Sequence, residues 1–244
     1  MPAVARRSLL LVAACVALAL ASLATAASTD PNLQFSDADM AWAGSMLLTP
    51  DDLGAGWRVD PSGEASGDAS SGADDCSAAP DESGLTLTGV SSSPGFRRAD
   101  QSFVASAAVV WQTADQAQTD WDRGTALVPG FLACIGDELK AASTKKVRIT
   151  VGSAGAIEFP SVAPRTAAFR LKLVFTRTVR VKKKLRKVSF AANTDLIFLG
   201  NGRAFASIAA FWFSKKPLTQ AYETALASKL AARMSKDPAE AATH

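Results

Sequence analysis

The sequence predicts an α+β domain: a twisted antiparallel β-sheet of about six strands with helices packed on one face. Three observations carry this. First, Phe169, Leu171, Leu173 and Phe175 alternate with Arg170, Lys172 and Thr176, and Val188, Phe190, Ala192, Leu196 and Phe198 repeat the pattern, so each stretch reads as a strand with one face in the core and one in water. Second, Asn201-Gly202 is the strongest hairpin signal in the chain and leads into a further apolar run, Phe205 to Phe213. Third, helix-spaced apolar stripes bracket the strands, with Met40, Trp42, Ala43, Met46 and Leu47 near the start and Tyr222, Leu226 and Leu230 near the end.

Taken in order, Asp37 to Leu48 reads as a helix with Ser36 as its N-cap. Thr49 then caps a short turn with Pro50 in its first position, where a missing N–H costs nothing. Leu53-Gly54-Ala55-Gly56-Trp57 gives a tight bend that delivers Trp57 to the core. Leu85 to Val90 and Gln101 to Gln112 read as strands. Ala114 to Ala142 is helical in character, with a break or sharp kink expected at Pro129-Gly130. Val147, Ile149 and Val151 alternate as a strand, and Leu218 to Met234 closes the chain as an amphipathic helix.

Residues 1–26 read as a secretory signal peptide: Arg6 and Arg7, an apolar run from Leu9 to Leu23, then Ala24-Thr25-Ala26 as an A-x-A cleavage site. The run is short of the roughly 20 residues a membrane span needs. Cleavage there makes Ala27 the mature N-terminus and places the protein outside the cytoplasm, secreted or in the cell envelope. Val12-Ala13-Ala14-Cys15 also fits a lipobox, so a lipid anchor on Cys15 is the alternative. No other stretch is apolar for long enough to span a bilayer. Residues 27–59 form an N-terminal helical segment, 60–84 a Gly/Ser/Asp-rich loop, 85–238 the remainder of a single domain, and 239–244 a disordered tail.

With the leader gone, Cys76 and Cys134 remain, and in an oxidising compartment two cysteines are most simply one disulfide. Zinc is not expected, because the only histidine is His244. Asp74, Asp75, Asp81 and Glu82 match no EF-hand spacing. No metal or cofactor site is therefore assigned.

Charge is segregated. Residues 27–140 hold 18 Asp/Glu and 5 Lys/Arg, while residues 141–244 hold 5 and 19, giving −13 and +14. Such halves face each other, serve different partners, or are ordinary surface charge that happens to be segregated. Arg177, Arg180, Lys182, Lys183, Lys184, Arg186 and Lys187 crowd the tip of the expected long hairpin. Two readings stand. The cluster captures an anionic wall polymer, a lipid head group or an acidic protein surface, or it is a solvated turn whose lysines prevent edge pairing. Nucleic acid is not expected, because the cluster carries no aromatic residue for stacking.

Three stretches carry a family likeness. Leu47-Leu48-Thr49-Pro50-Asp51-Asp52-Leu53-Gly54-Ala55-Gly56-Trp57, the passage Val109-Val110-Trp111-Gln112-Thr113-Ala114 leading through Trp121 to Cys134, and the closing helix Ala225 to Met234 resemble the extracellular sensor domains of PknH-type mycobacterial receptor kinases and related secreted or lipoprotein domains. The resemblance implies a twisted antiparallel sheet with helices around a cleft, a ligand-sensing role and no catalytic residues. Those domains typically have two disulfides, whereas this chain can form one.

No catalytic constellation emerges. Histidine-dependent triads lack a histidine within the fold. G-x-S-x-G is absent, and Ser143-Thr144-Lys145-Lys146 matches S-x-x-K without its companion motifs. Gly54-x-Gly56 lacks the third glycine of a dinucleotide loop. The expectation is a non-catalytic, sensor-like domain binding an unidentified ligand or envelope protein. The rival is an envelope hydrolase using a carboxylate pair.

Overall fold

The computed structural model describes residues 32–60, 76, 82–144, 146–181, 184–213 and 217–238. The leader, Cys15, most of the 60–84 loop, Lys182, Lys183 and the tail lie outside the described residues. The chain forms helix α1 (Asp37–Ser45) and the short α2 (Pro50–Leu53), then strands β1 (Trp57–Val59), β2 (Leu87–Ser92), β3 (Phe96–Arg98) and β4 (Phe103–Trp111). Helix α3 (Ala114–Ala141) follows, then β5 (Val147–Ala156), β6 (Arg165–Val181), β7 (Lys184–Asn201), β8 (Ala204–Phe213) and helix α4 (Gln220–Met234).

The α+β class and the antiparallel sheet are as the sequence predicts. The sheet has eight strands in the order β1-β3-β4-β8-β7-β6-β5, with β2 paired alongside β4. The additional strands, β1 and β3, are only three residues each, too short for an alternation to be read.

The helices occupy both faces rather than one. Alternate residues of a strand point to opposite faces. Val104, Ala108 and Val110 of β4 and Ala206, Ile208, Ala210 and Trp212 of β8 join Trp42 of α1, Met46 just after it, and Leu226, Leu230 and Met234 of α4 in one core. Phe103 and Ala105 of β4 and Ala209 and Phe211 of β8 meet Val128, Leu132 and Ile135 of α3 in another. All nine residues of β4 are buried, which requires cover on both sides.

Local chemistry sets the ends of the helices. Ser36 caps α1 by accepting from the Asp39 N–H at 3.1 Å, and Pro50 opens α2 as expected. Helix α1 lies so close on β2 that a Cβ at Gly89 would be driven into the Asp39 carbonyl. Helix α3 runs through Pro129 without the expected break. Proline removes a single N–H, and both flanks are pinned, by Val128, Leu132 and Ile135 to the sheet and by Cys134 to Cys76. That disulfide forms as expected, with Cα atoms 5.6 Å apart.

The opposed halves do meet. Arg203, in the β7–β8 turn, binds Asp39 at 3.0 and 3.2 Å and Asp237 at 3.0 and 3.1 Å, and lies 5.5 Å from the Trp42 ring. Arg233 of α4 binds both Asp52 oxygens at 2.8 and 2.9 Å and the Leu47 carbonyl at 2.6 Å. These pairs tie the acidic N-terminal helices to the basic C-terminal elements. Most of the remaining cations lie on β5–β7.

Candidate functional site

The β6–β7 hairpin is far longer than α4, so its outer end leaves a sheet face without helical cover. Register decides what stands there. Arg148 of β5 pairs with Thr176, which pairs with Ser189, and Thr178 pairs with Lys187. Paired residues share a face, so Lys146, Arg148, Thr150, Lys172, Thr176, Thr178, Lys187 and Ser189 project from the α4 side of the sheet. Thr144, Lys146, Arg148, Thr150, Thr176, Thr178 and Lys187 line a groove of about 300 Å³.

The electrostatics of this groove are one-sided. Lys146, Arg148 and Lys187 are exposed, and none forms an ion pair within the described residues. No Asp or Glu occupies that face of β5, β6 and β7 from the Lys172–Asn193 level outward. Hydroxyls complete the lining: Thr176 shares a hydrogen bond at 2.8 Å with Ser189 beside the groove, and Thr150 donates to the Val174 carbonyl at 3.4 Å. Three cations beside rotatable hydroxyls form a donor-rich setting suited to an oxyanion.

The hairpin cluster read from the sequence is divided by the same register. Lys187 borders the groove. Arg177, Lys184 and Arg186 pair with Val188, Val181 and Val179 on the opposite face, the side of α3. Arg180 pairs with Leu185 in the backbone register, and Lys182 and Lys183 lie outside the described residues. Lys146, Arg148 and Lys172 were not singled out from the sequence. They are the polar half of the alternations that marked β5 and β6, and only strand pairing brings them to Lys187.

Nearer α4, the same face holds a second feature. Ile157, Glu158, Arg170, Asn193, Trp212, Pro217, Leu218 and Gln220 line a cleft of about 370 Å³. Arg170 donates from Nε and Nη2 to the two oxygens of Asp195 at 2.7 and 2.6 Å and lies 5.1 Å from the Trp212 ring. Glu223 of α4 presses a second carboxyl against Asp195. Asp195 is 0% exposed and Glu223 1%. No bond of ordinary geometry reaches either Glu223 oxygen, yet the two carboxyls stand close enough to repel. Burial, then the Asp195 charge, pushes the Glu223 carboxyl up to about 8. Burial also raises Asp195, against the pull of Arg170. Both shifts favour a proton kept on the pair, and the Arg170 guanidinium faces the Asp195 side of it.

Elsewhere, burial pushes Asp120 up to about 6, where it accepts from the Trp111 indole at 3.1 Å and ties α3 to β4. Among the described residues no cluster of His, Cys, Asp or Glu is placed to hold a metal ion. No helix among them is long and apolar enough to cross a membrane.

With this geometry in hand, comparison with known proteins adds little. No protein-family model matches the sequence. No protein of curated function is detectably similar to it. Among solved structures, the chain is similar to the extracellular domain of PknH from Mycobacterium tuberculosis, at 14% identity and a TM-score of 0.29, over 62% of this chain and 66% of that one. A score that low carries no argument about function.

Proposed function

We propose that this chain is an extracytoplasmic, non-catalytic binding domain that holds an anionic ligand in the Lys146–Arg148–Lys187 groove. The observation that carries the reading is the convergence of three exposed cations and several hydroxyls on the part of the face outward of the Lys172–Asn193 level, where the strands carry no carboxylate. A solvated patch has no need to keep acids out. A ligand site for anions does, because a neighbouring carboxylate would compete for the same donors. The Cys76–Cys134 disulfide and the leader expected at residues 1–26 support placement in an oxidising compartment.

The hydrolase reading needs two carboxylates that a substrate can reach. Asp195 and Glu223 are a pair, but both are sealed beneath α4 and one is clamped by Arg170. That arrangement supports a structural role.

Amide chemical shifts followed during titration with tripolyphosphate test the reading. Perturbations should concentrate at residues 146–150, 176–178 and 187–189. Shifts confined to the α3 side of the hairpin, or none at millimolar tripolyphosphate, would count against it.

A further inference from the structure

The groove does not end at Arg148. The same face continues along β6 toward the Arg170 cleft, through the levels of Thr176, Val174 and Lys172. From Thr178 to Arg170 is eight residues, or about 26 Å at roughly 3.3 Å per residue. Cations stand toward both ends, Lys146, Arg148 and Lys187 at one and Lys172 at the other, while Arg170 beyond Lys172 is already held by Asp195. Lys172 is exposed and has no ion pair among the described residues. Small side chains floor the stretch between, with Thr150, Val174 and Ala191 at one level. Gly152 of β5 leaves room for the Lys172 stem, since a Cβ there would stand 3.3 Å from Lys172 Cγ. Asn193, paired with Lys172, belongs to the cleft beyond.

We propose that the ligand is a linear polyanion lying along β6, which engages Lys146, Arg148 and Lys187 at one end and Lys172 at the other. This rests on the anion-binding reading of the groove and adds the length and direction of the ligand. A single small anion held by Arg148 at the Thr176 level lies about 13 Å from the level of Lys172, four residues along the strand. It leaves Lys172 unused. A chain with a charge on every repeat reaches both ends, and its second contact forms at high effective concentration once the first is made. A membrane surface fits this geometry less well, because the groove floor is half-buried and recessed among the side chains that line it.

The experiment is a length series by calorimetry, with inorganic phosphate, tripolyphosphate and long-chain polyphosphate, and with polygalacturonate to separate phosphate from carboxylate polymers. Wild type is compared with Lys172→Gln and Arg148→Gln, with unfolding midpoints checked for each. Lys172→Gln should weaken the long chains by up to about fivefold, the upper end for one exposed charge pair, and leave tripolyphosphate unchanged. Arg148→Gln should weaken every probe. If Lys172→Gln affects long and short probes alike, or neither, the polymer proposal fails while the groove reading stands. If no probe binds, or Arg148→Gln changes nothing, the groove reading fails as well. Retention on phosphatidylglycerol vesicles without binding to any soluble polymer would overturn the proposal in favour of a membrane surface.

Discussion

Replacing Glu223 with glutamine should make the protein more stable at neutral pH and remove much of its pH dependence. Glu223 is buried without a hydrogen-bond donor and lies against Asp195, so the fold holds it protonated. An ordinary glutamate ionises at 4.5 and this one at about 8. The sign follows from proton counting. Below pH 4.5 both the folded and the unfolded chain carry the proton, and stability is undiminished. Between 4.5 and 8 the unfolded chain releases it while the folded chain keeps it, so stability falls as pH rises. At about 1.4 kcal/mol per pH unit, the loss is about 3 kcal/mol by pH 7 and levels off near 5 kcal/mol above pH 8. The glutamine side chain matches the shape, has no charge to lose, and offers an N–H to Asp195. Urea denaturation of wild type and Glu223→Gln, with the disulfide intact, should give equal stabilities at pH 4. The variant should lead by about 3 kcal/mol at pH 7. Parallel stability profiles from pH 4 to 8 would refute the reasoning.

Two further outcomes concern the scaffold. Removing both cysteines, as Cys76→Ser with Cys134→Ser, opens a loop with a sequence separation of 58, and equilibrium unfolding should show a loss of about 4 kcal/mol. Gly89→Ala forces a methyl group into the Asp39 carbonyl where α1 lies on β2; its denaturation midpoint should drop by the equivalent of about 1–3 kcal/mol, whereas Gly124→Ala, which meets nothing within 4 Å on α3, should show no such loss.

Much of the fold was legible because its signals are local. Ser36, Pro50, the alternation of β6 and β7, the turn at Gly202 and the Leu226–Leu230 stripe each act within a few residues. The cover on both faces was legible in principle. Phe103 to Trp111 has almost no polar residue on either face, and such a run calls for apolar neighbours on both sides. The continuation of α3 through Pro129 was not legible, because it depends on packing against distant strands and on the link from Cys134 to Cys76.

The candidate site was half legible. A crowd of lysines and arginines in residues 177–187 is visible in one dimension, but which of them share a face depends on the register of β6 with β7. Register sends Arg177, Lys184 and Arg186 one way and Lys187 the other, and it brings in Lys146 and Arg148 from a strand nearly forty residues earlier. The Asp195–Glu223 pair was hidden for the same reason: a strand residue and a helix residue 28 positions apart meet only when α4 folds back over β7.

The central claim is that the groove, and not the hairpin's charge in general, binds the anion. Calorimetric titration of tripolyphosphate into wild type, into a Lys146→Gln/Arg148→Gln/Lys187→Gln variant and into an Arg177→Gln/Lys184→Gln/Arg186→Gln variant tests it most directly, because both triple variants remove three positive charges from the same end of the sheet. At low ionic strength the groove variant should bind more than tenfold more weakly than wild type, with an unchanged unfolding midpoint. The variant on the α3 side should bind nearly as wild type. Wild-type affinity should fall as salt rises, since charges are screened over about 8 Å at physiological ionic strength. Equal weakening in the two triple variants would contradict the account, because it would mean that total charge matters and the groove does not.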